Sequence, residues 1–270
     1  MSDYMFLFCL SEDIYTSLSF TNHVSNIKGD TAKKRDFDVL VMALSTNRNV
    51  WIILDRVHIA EESIIRLCSL DYEIGLGEIL VVVPVEKDWI APQILQTLPI
   101  PLQRSVDRTH CTSRGSLRFH YGSASSSYQS EYPTLMAKHK SGNLTSFRIP
   151  AIESNESIKH LICFINIRSN AEQKNPSRTY FVKDEAGNVL YSRELTYNHC
   201  TVFEIPKNLH RSNLTFTANG IVAIPLYISY ISTPIEGITV EHSHPPAEYY
   251  WRQESERIGV DRIRRFWNGK

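Results

Sequence analysis

The chain has 270 residues, and its 29 lysines plus arginines balance 29 aspartates plus glutamates, so the formal net charge is zero. With 42% hydrophobic, 10% aromatic and 21% charged residues, it has the composition of a folded domain and not of a disordered, collagen-like or low-complexity chain. The charge balance excludes a polybasic nucleic-acid binder as a whole, and the length allows one large domain or two smaller ones.

In chain order, YMFLFCL at 4–10 reads as a short buried strand. Over 33–44, Phe37, Leu40, Val41 and Leu44 recur at helical spacing, and Asp30 or Thr31 supplies a cap for the helix this predicts. VWIIL at 50–54 predicts a second strand. Over 60–70, Ile64, Ile65, Leu67 and Cys68 follow Glu61 and Glu62, acids that suit the positive end of a helix. A strand at 79–85, ILVVVPV, and a helix near 88–98 complete the series. Strand and helix in alternation predict a small N-terminal α/β unit over 1–100.

The texture changes after Pro99 and Pro101. Residues 101–144 read as a basic connecting region, with GSASSSYQS at 122–130 as its most linker-like part. From 145 onward come LTSFRI, HLICFINI, RTYFVKD, VLYSREL, CTVFEI, LTFTA and IVAIPLYISYI, short strands separated by turn residues. The stretch from Asp184 to Asn188 suits a hairpin turn, because Gly187 and Asn188 tolerate positive φ. Strands at this spacing predict an antiparallel β-sandwich over 145–270, closed by a terminal helix over 247–268. The expected fold class is therefore α+β.

Five cysteines, Cys9, Cys68, Cys111, Cys163 and Cys200, are widely spaced and form no CxxC pair. They read as reduced thiols, and the absence of a positively charged leader or a bilayer-length apolar run predicts a cytoplasmic protein with no membrane association.

Two stretches suggest chemistry. His242, His244 and Glu248 form H-x-H-x-x-x-E; residues two apart on a strand share a face, so two imidazoles and a carboxylate would hold a divalent transition metal. Over about a dozen residues, this spacing resembles the first metal-binding motif of the cupins, which are double-stranded β-helices with a non-haem metal. The resemblance implies a further histidine ligand on a later strand, and none follows Glu248. The second stretch is 108–150, where Arg108, Arg114, Arg118, Lys138, Lys140 and Arg148 face Glu131 as the single acid. Phe119, Tyr121, Tyr128 and Tyr132 lie among them. Cations interleaved with aromatics bind phosphates, sugars or single-stranded nucleic acid, which makes Arg114, Arg118, His120, Lys138 and Arg148 candidate ligand-binding residues. Near the end of the chain, Trp251 and Trp267 are candidate interface anchors.

No G-x-S-x-G elbow, Walker loop or H-E-x-x-H occurs, and no full nucleophile–base–stabiliser set can be assembled. The leading expectation is a non-catalytic binding module for a glycan, another anionic ligand or a protein partner, with no cofactor. The alternatives are a metal-dependent enzyme using His242, His244 and Glu248, and a subunit of a nucleic-acid-associated assembly.

Overall fold

The computed structural model describes residues 3–21, 36–60, 63–90, 92–102, 115–130, 132–138, 143–149, 155–173, 177–210, 212–219, 221, 223–231 and 236–242. Its strands in chain order are β1 (Asp3–Phe8), β2 (Ile14–Thr21), β3 (Phe37–Ser45), β4 (Val50–Ile59), β5 (Ile64–Cys68), β6 (Ile79–Glu86), β7 (Ile94–Leu95), β8 (Ser116–Tyr121), β9 (Ala124–Gln129), β10 (Tyr132–Pro133), β11 (Asn143–Ile149), β12 (Ile158–Asn166), β13 (Ser177–Lys183), β14 (Val189–Thr196), β15 (His199–Glu204), β16 (Leu214–Asn219), β17 (Ile224–Ile231) and β18 (Gly237–His242). One α-helix, α1 (Thr134–Lys138), occurs among the described residues. Strand pairing is antiparallel throughout.

The first half pairs a six-stranded sheet, β10-β1-β6-β3-β4-β7, with a four-stranded sheet, β5-β2-β8-β9. This overturns the α/β reading of 1–100 and with it the expected α+β fold class: the described residues are nearly all antiparallel sheet. The stretch 33–44 holds all of β3 but Ser45, 60–70 contains β5, and 88–98 contains only the short β7. The physical reason lies in burial. Phe37–Met42 of β3 and Ile79–Val85 of β6 are buried without interruption. A strand covered on both faces shows no alternation, so a helical period can be fitted to its apolar residues. Within 101–144, the stretch that reads as linker-like contributes β9, hairpin partner of β8.

The two sheets meet at β1. Past its short pairing with β10 at Asp3 and Tyr4, that edge of β1 is completed by hydroxyl groups. The Phe6 N–H donates to Ser130 Oγ, which donates back to Phe6 O, and the Phe8 N–H donates to Thr16 Oγ1, which donates to Phe8 O. Both hydroxyl residues are fully buried, so each satisfies two backbone groups that water cannot reach. Phe8 packs edge-on against Phe119 of β8, with ring centroids 5.7 Å apart.

The second half is an antiparallel sandwich of β15-β12-β17-β18 on β11-β16-β13-β14. Its central strand, β12, faces two cores. Ile162 and Phe164 join Tyr180, Val182, Phe203 and Phe216 inside this sandwich. Leu161, Cys163 and Ile165 point the opposite way and join the core of the first half. The terminal helix expected over 247–268 lies outside the described residues. No described helix is long and apolar enough to cross a membrane.

Candidate functional site

The outer face of β5-β2-β8-β9 is built by period-two alternation. On β2, Ile14, Thr16 and Leu18 are buried while Tyr15, Ser17 and Ser19 face outward. On β8, Leu117 and Phe119 point inward, leaving Ser116, Arg118 and His120 on the outer side. Register fixes the rows. Cys68, Ser17, Arg118 and Ser127 stand in line across the four strands. Arg66, Ser19, Ser116 and Gln129 form the next row, and Tyr15, His120 and Ser125 form the row on the other side.

These four strands contain no aspartate or glutamate. Arg66 and Arg118 are exposed, and neither has a carboxylate partner among the described residues. Two strand spacings and two residue rises separate them, about 12 Å between Cα atoms. Beside Arg118, the His120 ring stacks on Tyr15 with centroids 4.7 Å apart and planes 8° from parallel. His120 Nε2 lies 2.8 Å from Ser17 Oγ. Burial, and then the Arg118 charge, hold the His120 pKa below its ordinary value, so the ring is neutral at neutral pH. The rim is acidic. Glu236, from the loop before β18, accepts from the Ser123 N–H at 2.6 Å and from Ser123 Oγ at 2.8 Å, which holds the β8–β9 turn. Those hydrogen bonds keep the Glu236 carboxyl below the usual range.

Of the five basic-stretch residues, Arg118 and His120 come together on this face. Lys138 ends α1, whose Met136 O accepts from Arg168 Nη1 at 2.8 Å, in the region where the two halves join. Arg148 lies on β11, opposite Thr215, in the second sandwich. Arg114 lies outside the described residues, as do His244, Glu248, Trp251 and Trp267. His242 is the last residue of β18, opposite Leu226. Among the described residues, no group of three or more His, Cys, Asp or Glu side chains is placed to hold a metal ion. Arg66 and Tyr15 were not among the sequence candidates. Tyr15 was legible in the alternation of IYTSLS, whereas Arg66 sits in a stretch that reads as a helix.

A second charged group lies on the six-stranded sheet. Asp38, buried on β3, accepts from Arg56 Nε at 2.6 Å and lies 2.9 Å from His58 Nδ1. Burial raises the Asp38 pKa, but the hydrogen bonds from His58 and Arg56 outweigh it and leave the carboxyl below its ordinary value. This group is closed on itself and offers no free cation.

No protein-family model matches the chain, and no curated protein sequence matches it.

Proposed function

We propose that this protein is a non-catalytic binding module whose outer β5-β2-β8-β9 face takes an anionic glycan. The observation that carries the reading is the acid-free sheet face bearing Arg66 and Arg118 among outward serines. Two cations about 12 Å apart suit an extended ligand with more than one anionic group, not a lone phosphate. Ser17, Ser19, Ser116, Ser125 and Ser127 offer donors and acceptors to sugar hydroxyls between them. Single-stranded nucleic acid is the less favoured ligand. It needs free aromatic faces for base stacking, and Tyr15 and His120 are stacked on each other.

Titration calorimetry with a sulfated oligosaccharide tests the reading, with the unsulfated sugar and a single-stranded oligonucleotide as comparisons. The sulfated sugar should bind, more weakly as salt rises, because exposed charges are screened beyond about 8 Å at physiological ionic strength. Arg66→Ala with Arg118→Ala should weaken it about tenfold or more, since a hydrogen bond to a charged group contributes roughly 1.5–3 kcal/mol. Unchanged affinity in the double variant, with the fold intact, would remove this face as the site.

A further inference from the structure

Cys163 on β12 and Cys200 on β15 occupy neighbouring antiparallel strands. Val202 stands opposite Cys163 and Ile165 opposite Cys200, so the cysteines are diagonal neighbours on one face of the sheet. Both side chains are buried, and their Sγ atoms lie 2.8 Å apart. Non-bonded heavy atoms settle at about 3.5–4.0 Å. A disulfide needs about 2.05 Å. The sulfurs therefore lie within an ångström of bonding distance, on strands already held in register.

We infer that Cys163 and Cys200 form a disulfide when the chain folds in the presence of a low-molecular-weight disulfide, and that the bond cross-links β12 to β15. The step is thiol–disulfide exchange. One cysteine thiolate attacks the small disulfide, forming a mixed disulfide and expelling one small thiolate. The second cysteine thiolate then attacks the protein sulfur of the mixed disulfide and expels the other. Two protein thiols become one disulfide, and the oxidant is reduced to two thiols. Burial, and then the adjacent Cys163, push the Cys200 thiol up, so its thiolate is scarce once the fold has closed. The exchange therefore belongs to folding or to transient opening. The other cysteines are placed differently: Cys9 Sγ lies 3.3 Å from Ser69 Oγ, Cys68 is half-buried, and Cys111 lies outside the described residues.

The bond would act where the two halves join. The Cys200 N–H donates to Gly77 O at 2.7 Å, and the Gly77 N–H donates to Cys9 O at 3.1 Å. Gly77 has φ +79, and a Cβ there would fall 2.2 Å from His199 Cε1, so this close approach requires glycine. Cross-linking Cys200 to the central strand β12 therefore fixes the residue on which the first half docks.

The full chain should be unfolded and refolded twice, once with oxidised glutathione and once with excess dithiothreitol, then alkylated under denaturing conditions and mapped by peptide mass. The oxidised sample should yield the Cys163 and Cys200 peptides joined and lighter by two hydrogens, with Cys9, Cys68 and Cys111 alkylated. It should also melt several degrees above the reduced sample, a difference that Cys200→Ala abolishes. Alkylation of both Cys163 and Cys200 in oxidatively refolded, natively folded protein would overturn the inference. A map that joins either cysteine to a different partner would overturn it equally, and the map of the unaltered chain needs no variant to fold.

Discussion

One buried histidine ties the stability of this fold to pH. His160 is buried beneath the second sandwich, with Nδ1 2.7 Å from Tyr227 Oη, and its ring meets that of His210 edge-on at 4.9 Å. His210 Nε2 must donate to Ile205 O, at 3.1 Å, because a carbonyl only accepts. His160 Nε2 has no hydrogen-bond partner among the described residues, so a proton added there would create a charge that no hydrogen bond satisfies. Burial, and then the neighbouring His210, lower the His160 pKa from its ordinary 6.5. The unfolded chain therefore holds this proton more tightly than the folded one. The stabilisation by neutral His160 is complete above about pH 6.5 and is lost as pH falls through the lower folded value. The thermal midpoint should accordingly drop between about pH 7.5 and pH 5, and His160→Gln should flatten part of that slope in scanning calorimetry. An unaltered slope would show that the protonation of His160 is not what destabilises the fold. None of this was legible in sequence, because His160 and His210 are 50 positions apart and meet only through the pairing of β12 with β15. Arg118 and His120 were legible, because residues two apart on one strand need only the strand to be recognised.

At the scale of elements, burial on both faces removes alternation from β12 as it does from β3, so flanking turns and β-branched content are what mark such strands. HLICFINI and CTVFEI are bounded by turn residues, and they form β12 and β15. FDVLVMAL is also followed by a turn, over 46–49, but its continuous burial as β3 lets Phe37, Leu40, Val41 and Leu44 fit a helical period by coincidence. The β-branched content of ILVVVPV was the better signal, and it marked β6 correctly. Within one sheet of the second sandwich, interior and edge positions also differ in what a substitution should cost. Phe216 on β16 is fully buried, with ring centroids 6.1 Å from Phe164 and 6.2 Å from Phe203. Phe216→Ala should lower unfolding free energy by about 3–5 kcal/mol in denaturant titration, the usual cost of a large-to-alanine change in a core. Val189 on the edge strand β14 is 55% exposed. Val189→Ser should stay within about ±0.5 kcal/mol. Equal losses for the two variants would mean that the core of this sandwich lies elsewhere.

For the whole molecule, the decisive feature is that the sheet β15-β12-β17-β18 has no free apolar face. Its inner side, with Ile162, Phe164 and Phe203, belongs to the second sandwich, while Leu161, Cys163, Ile165, Leu226, Ile228 and Ile238 belong to the core of the first half. Ordinary domain junctions are polar and permit relative motion. This one is apolar and is reinforced by backbone bonds across it, from Leu98 N–H to Ser169 O at 2.7 Å and from Ala171 N–H to Gln96 O at 2.8 Å. Trp51 Nε1 also donates to Ser169 O at 3.0 Å. Separating the halves would expose both sides of that junction to water, at roughly 25 cal/mol per Å² of apolar surface. The two sandwiches should therefore unfold together, giving one calorimetric transition whose measured enthalpy equals the van't Hoff enthalpy. Leu226→Asp, which places a charge on the shared face opposite Cys163, should lower that single transition or split it. Two separate transitions in the unaltered chain would instead show that each sandwich stands on its own core and that the shared face contributes little to holding them together.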